Sequence, residues 1–479
     1  MKKDKITSDL KSHKYKKGLI QTPMNSIPNQ QPVSWTDDRL PEYLWLGLIL
    51  MAYERTEAIE KIGKILEAIS KINKSMIEPK LSIILSLNKT MQEKIYEIIS
   101  LEIDPKTLTP LTIIYSNSEY PIFNHYFYFQ DILFQEKIEK IKEAVKIYYN
   151  HQSHEATDLR FIIIMMQIFQ NKIHLPSELA QSFPHTPHSD EKMRQYRPFV
   201  RATEMTTGML DISNPKNQKF INNFWGKVGM KTNCKPIIIG FNDEEKEMEY
   251  QKFIVEFQEK LNHLLNEQKE KSLLDDKFDV IIGTITYTLK IFNDVIEKNL
   301  DDSILGRHAF RTILETYINI KYLLKIESEH LNIWEDYKLY GIGKYKLPLL
   351  KGREDTDKKE NTHFVEPLID IIINEIIWEE FVDIDLRYFD KKKIKEKFEE
   401  VGEKYLYEVL YEYDNNFIHG FWGAVRESSM LYCDNATHKY HSIPDINFQQ
   451  KMPSINNDVY KIMNKFSKLI DETFYYEHS

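Results

Sequence analysis

An all-α fold is predicted by three features of this chain: scarce glycine, abundant helix formers, and apolar residues recurring every three or four positions. Glycine accounts for 15 of 479 residues, while Lys, Glu, Ile and Leu abound. Glycine weakens a helix through its backbone entropy, whereas unbranched side chains lose little freedom in one. Ile59, Ile62, Ile65, Leu66 and Ile69 form one apolar stripe at helical spacing. The best strand signal, Pro236-Ile-Ile-Ile-Gly240, stands alone.

Residues 1–33 read as a disordered basic tail, with seven lysines between Lys2 and Lys17 and then Pro23, Pro28 and Pro32. Trp35 opens an N-terminal helical domain over residues 34–203. Asp37 or Asp38 suits its helix cap, and Pro41 suits the first turn. Helices follow over Glu54–Lys74, Lys80–Leu87, Thr90–Ser100, Gln135–Asn150 and Asp158–Gln170, with an aromatic plug at Tyr120–Phe134. Pro176, Pro184 and Pro187 break the next segment into loop.

Residues 204–272 read as a bridge. A polar stretch with Gly208, Pro215, Gly226 and Gly229 leads into a charged helix, Glu244–Lys271. Residues 273–479 form a C-terminal helical domain. Its helices span Lys277–Asn299, Ile304–Lys325 capped by Asp301 and Asp302, Glu329–Tyr340, Phe364–Glu380, Lys391–Val401, Glu403–Ser429 and Asn457–Tyr475. Lys351–Asn361 and Cys433–Pro453 are loops.

A net charge of −9 removes the whole-protein basic footprint of a nucleic-acid binder, though local basic patches stay open. No run of about 18 apolar residues marks a membrane span. The lysines near the start are followed by no apolar core and so make no secretory signal, while the low cysteine count favours the reducing cytoplasm. Cys234 and Cys433 are the only cysteines. Two cysteines exclude a disulfide framework and any Cys-built zinc site. No cofactor and no metal are expected. Gly341-Ile-Gly-Lys344 lacks the ending of a phosphate loop, and no nucleophile elbow, His-Glu-x-x-His pair or kinase signature is present.

The chemistry-bearing stretch is Tyr413-Asp-Asn-Asn-Phe-Ile-His-Gly420. Asn415 and Asn416 stand four and three residues before His419, on one side of a helix. Arg307, Arg311 and Glu315 recur at spacing four on an earlier helix. RNA cleavage needs an imidazole held by polar neighbours and a cation for the phosphate. His419, Asn415, Asn416 and Arg311 supply these, with Glu315 orienting Arg311. Arg307, Arg353 and Arg426 extend the set into a basic groove. The plainer reading is hydrogen bonds joining helices, with Arg311–Glu315 as an intrahelical pair worth a few tenths of a kcal/mol. His438 and His441 are weaker additions from the loop.

His185, His188 and Asp190 suggest a metal-dependent hydrolase, against which the flanking prolines argue for a surface loop. Arg194, Arg197 and Arg201 form a basic corner, with Pro198 interrupting their helix.

The stretch from about Asp279 to Ser429 resembles a bacterial family, domain of unknown function 5677. The resemblance rests on Arg307-His-Ala-Phe-Arg-Thr-Ile-Leu-Glu-Thr-Tyr317, Trp334-Glu-Asp-Tyr337 and the Tyr413–Gly420 segment. Trp35–Trp45 resembles longer family members with phage-defence associations. The helical arrangement is also similar to the HEPN superfamily of helical bundles, many of them metal-independent ribonucleases acting as toxins or defence effectors. That similarity implies a homodimer with RNA as ligand. It places the motif's His at His419 and its polar residue at Asn415. The motif's Arg falls on Asp414, a departure, because a carboxylate repels RNA phosphate; Arg311 or Arg426 would have to substitute in space. The implied function is a defence or toxin-type protein that cleaves or binds RNA. The alternative is a non-enzymatic helical sensor or scaffold that holds a phage or host protein or a nucleotide, which Asp414 and the acidic chain favour.

Overall fold

The computed structural model describes residues 10–23, 33–209, 217–241, 247–354 and 363–475, and it is mainly α-helical with a few short strands. The chain forms two compact units. One comprises Met1–Ile237 and Tyr432–His441, the other Ile238–Leu431 and Ser442–Ser479. Ten residues of the expected C-terminal domain therefore belong to the first unit. Within the described residues no helix is long and apolar enough to cross a membrane.

The first unit is built around the helix Leu40–Ala52, which is buried almost all round. Ser34, rather than an aspartate, caps the turn before it: its hydroxyl accepts from the Asp37 amide at 3.1 Å, and Asp38 reaches back to the Ser34 amide at 2.9 Å. Trp35 and Trp45 bury their rings and donate their indole N–H groups to the carbonyls of Tyr148 and Pro79 at 2.9 and 3.0 Å. Gly47 is glycine because the Tyr148 ring lies against it; a Cβ there would stand 2.7 Å from that ring.

Several expectations are corrected here. The stretch read as a polar bridge contains the helix Gln218–Gly229, and its Phe220, Ile221, Phe224, Trp225 and Val228 enter the first core. Asn217 caps it, accepting from the Phe220 amide at 3.1 Å. Its glycines, Gly226 and Gly229, mask this periodicity in the sequence. Pro198 lies inside the helix Met193–Met209 and does not interrupt it. Lys14–Lys16 and Leu19–Gln21 form an antiparallel hairpin where a disordered tail is expected. Its turn residues Lys17 and Gly18 both have positive φ, as a tight two-residue hairpin turn requires. The rest of that tail within 1–9 and 24–32, the bridge around Pro215 and most of the charged loop at 355–361 lie outside the described residues.

A buried ionic network crosses this core. Arg39 Nη2 lies 3.2 Å from Glu78 Oε1 and 2.5 Å from Glu204 Oε1, the latter without hydrogen-bond alignment. Arg160 stands 3.4 Å from Glu204 and 4.6 Å over the Trp35 ring. Tyr43 donates to Glu78 at 2.5 Å. Gly208 makes room for the Arg39 guanidinium. Burial pushes the Glu78 carboxyl up, but Arg39 and Lys80 outweigh it and hold it below its ordinary range.

The second unit packs Glu247–Glu267, Asp276–Glu297, Ile304–Ile326 and Asn456–Ile470 around Phe257, Ile285, Phe292, Ile318 and Phe466. Ser303 caps Ile304–Ile326 by accepting from Gly306 at 3.1 Å. The expected caps Asp301 and Asp302 instead receive the Ile455 and Met452 amides on their carbonyls. The helix Ile333–Glu354 runs through Pro348, well past the end predicted at Tyr340. The helix expected over Glu403–Ser429 is broken once: Leu406–Tyr411, a wider turn, runs directly into Glu412–Ile418, and Trp422–Ser428 follows after the break.

Candidate functional site

The break in that last helix lies within the Asn-Asn-Phe-Ile-His-Gly motif. His419 is the C-cap of Glu412–Ile418, and Gly420 follows at φ +58°. The Gly420 amide donates to the Phe417 carbonyl at 3.2 Å, and the Phe421 amide to the Asn416 carbonyl at 3.0 Å. This pair of bonds is a Schellman stop, which needs a left-handed residue at Gly420. The His-Gly pair thus ends a helix and turns His419 into solvent. Its ring stacks on Phe421 with centroids 5.4 Å apart. The Asn416 side chain donates to the carbonyls of Glu412 and Tyr413 at 2.8 and 3.1 Å, within its own helix. Neither Asn415 nor Asn416 hydrogen-bonds the His419 ring among the described residues.

The Arg307, Arg311 and Glu315 stripe does meet this segment, but on another face. Arg311 pairs with Glu315 at 3.1 Å. Its guanidinium also donates to the Tyr411 hydroxyl and lies 4.6 Å over that ring. Tyr411 in turn donates to Glu315 at 3.2 Å. Burial, reinforced by Glu315, pushes the Tyr411 phenol well above its ordinary range. These three groups form a closed ring of partners. Arg307 is 4% exposed, donates to the Pro453 carbonyl at 2.6 Å, and sits about 6 Å from the rings of Tyr413 and Phe417.

Asp414 completes the internal cluster and is 2% exposed. Its carboxyl is pushed up to about 7 by burial, with Asp458 and Glu427 adding and Arg307 and Arg311 opposing. Tyr413 donates to the Glu427 carboxylate. Asp414 and Tyr411 are the members of this site that sequence reasoning missed. Asp414 stood out only as a departure from a motif, and Tyr411 lies one turn before the motif begins.

The expected basic groove is not assembled. Arg426 donates to the Met430 carbonyl at 3.2 Å. Arg353 is held by Glu366, Asp370 and Glu379 at 3.4, 2.6 and 2.8 Å. Among the described residues, no hydrogen bond or ion pair joins Arg311 or Arg307 to His419.

The histidine-rich loop is also structural. His188 lies 3.1 Å from Asp158 and stacks on His154, and Asp158 is gripped at 2.9 Å twice by Arg55. Arg55 also donates to the carbonyls of Phe183, Pro184 and Thr186, which fixes the proline-rich turn. His185 is exposed, and Asp190 caps the Lys192 amide at 2.8 Å. Arg197 donates to the His188 carbonyl at 2.8 Å, and Arg201 to the Thr157 hydroxyl at 2.8 Å, so this basic corner ties loops together.

His438 and His441 belong to the first unit. There they meet both cysteines: one ligand atom from each of Cys234, Cys433, His438 and His441 lies within 4.8 Å of all the others. The exclusion of a Cys-built zinc site counted cysteines alone. Two histidines complete a four-donor set that lies some two hundred residues apart in sequence.

No curated protein and no solved structure matches this chain. Residues 278–438 match the model of a family of unknown function, DUF5677, which spans the arginine stripe and the helix stop at His419.

Proposed function

We propose that the protein is a non-enzymatic helical scaffold or sensor, assembled as a homodimer through the edge that carries His419. The observation that carries this reading is the closure of both stripe arginines on internal partners. A phosphate-binding arginine needs free donors on its planar fork. Arg311 turns Nη1 to Glu315 and Nη2 to Tyr411, Arg307 turns Nη2 to the Pro453 carbonyl beneath Tyr413 and Phe417, and both Nε atoms are buried without a partner among the described residues. The residue that takes the place of the nuclease arginine is the buried Asp414.

The His419 edge is apolar and open. Phe421, whose ring stacks on His419, and the adjacent Trp422 are 55% and 66% exposed. Aromatic rings grouped on a surface favour burial against a protein partner. With Glu412 and Glu427 nearby in sequence, this edge is poorly suited to RNA phosphate. A second copy of the chain is the partner proposed, and a phage or host protein that alters the pairing is the trigger in an antiviral setting. Sedimentation of the wild type and a Phe421→Ala/Trp422→Ala variant tests this. A concentration-dependent wild-type dimer that becomes a monomer in the variant supports it. A wild-type monomer at every concentration sinks it.

A metal-independent endoribonuclease is the second reading. Its support is that His419 is exposed, one turn after Asn415, with its ring nitrogens unbonded among the described residues. RNA cleavage that His419→Ala abolishes would establish it.

A further inference from the structure

We propose that Cys234, Cys433, His438 and His441 form a tetrahedral site for one zinc ion, which pins the returning segment Tyr432–His441 onto Thr232–Ile237 within the first unit. Cys234 Sγ stands 3.2 Å from His438 Nδ1 and 3.3 Å from His441 Nε2. Zinc binds thiolate sulfur at about 2.3 Å and imidazole nitrogen at about 2.0 Å, so a tetrahedron places such atoms about 3.5 Å apart. These two edges fall within a few tenths of an ångström of that value.

The surroundings orient these donors. His438 Nε2 lies 2.8 Å from the Thr232 hydroxyl and 3.2 Å from the Thr232 carbonyl. A proton on Nε2 satisfies that carbonyl and leaves the Nδ1 lone pair directed toward Cys234. An outer hydrogen bond of this kind fixes the tautomer of a zinc-bound histidine. The Lys235 amide donates to Cys433 Sγ at 3.4 Å, a bond that favours the thiolate. Strand pairing, with Pro236 opposite Cys433 and Ile237 opposite Tyr432, holds Cys433 two residues from Cys234 along the paired segment, and their sulfurs lie within 4.8 Å.

The loop between the histidines is shaped to the same end. Asn435 accepts from the Thr437 amide and hydroxyl at 3.0 and 2.7 Å and donates to the Asn233 carbonyl at 2.9 Å. Lys439 and Tyr440 then both adopt positive φ, of 56° and 47°. Two consecutive left-handed residues without glycine are costly. They turn the chain sharply enough to bring His441 back beside His438, at a ring separation of 5.4 Å.

Four protein donors leave no open position, so the site is structural and not hydrolytic. Binding releases the two thiol protons and closes a chain excursion from residue 234 to residue 433. Long excursions have the largest closure entropy to offset. The site is independent of the scaffold reading, which concerns the other unit.

Elemental analysis of the purified, reduced full-length chain tests the proposal. One zinc per chain is expected, lost in Cys433→Ser and in His438→Ala. Because those variants could fail to fold, the wild type is also exchanged with Co2+. A tetrahedral cobalt spectrum with a thiolate charge-transfer band is expected. Three outcomes overturn the proposal: no zinc and no cobalt spectrum on the reduced wild type, metal retained in a folded Cys433→Ser protein, or a Cys234–Cys433 disulfide in freshly purified chain.

Discussion

Asp414 and Arg307 share one buried face of the second unit, and no ion pair within 4 Å joins Asp414 to a cation among the described residues. A buried carboxyl without a close cation prefers to hold its proton.

That carboxyl makes a pH prediction. Its folded pKa, about 7, lies above the ordinary aspartate value of about 3.9. Between those values the native state binds a proton that the unfolded chain does not. Stability from this group is therefore present below about pH 4 and declines as pH rises toward 7. Asp414→Asn removes the decline and raises stability at pH 8 by roughly 1–4 kcal/mol, at about 1.4 kcal/mol per pKa unit. Denaturant melts of both proteins at pH 5 and pH 8 check this; parallel pH dependence contradicts it.

The first unit depends on its buried charges remaining paired. Glu204→Ala leaves Arg39 and Arg160 with one partner fewer in the core. Breaking a buried ion pair costs roughly 3–5 kcal/mol, so thermal unfolding of this variant should start well below that of the wild type. A change under about 1 kcal/mol would mean that water or a rearranged carboxylate takes the place of Glu204.

The helix stop separates two neighbouring residues by role. Gly420→Ala forces a Cβ into the left-handed region and should cost roughly 1–2 kcal/mol. His419→Ala removes an exposed side chain and should change stability by no more than about 0.5 kcal/mol. Chemical denaturation of the two variants side by side checks the contrast, and a larger loss for His419→Ala reverses the assignment.

The helices of this protein are legible in its sequence where apolar spacing is strong. Ile304–Ile326 begins where predicted and ends one residue beyond, and Arg55–Ile72 lies within the predicted span. Breaks and continuations are less legible because they depend on tertiary partners. Pro348 and Pro198 sit inside helices on exposed positions, where the sequence rule that proline interrupts a helix does not hold. The stop at Gly420 is a local glycine signal that the functional reading of His419 overshadowed. The arginine stripe is visible at spacing four, but its closure on Tyr411 and Pro453 belongs to the folded bundle. The Cys–His cluster was the least accessible, since Cys234 and His441 are distant in sequence and share no motif.

The most direct measurement is incubation of the purified wild type and His419→Ala with total tRNA and mRNA, in parallel with and without EDTA so that loss of the structural zinc is not read as loss of activity, with product analysis by gel. The scaffold account predicts intact RNA with both proteins, including at concentrations where the wild type is dimeric. Cleavage by the wild type that His419→Ala abolishes would contradict it and, where it persists in EDTA, make His419 the residue of a metal-independent nuclease.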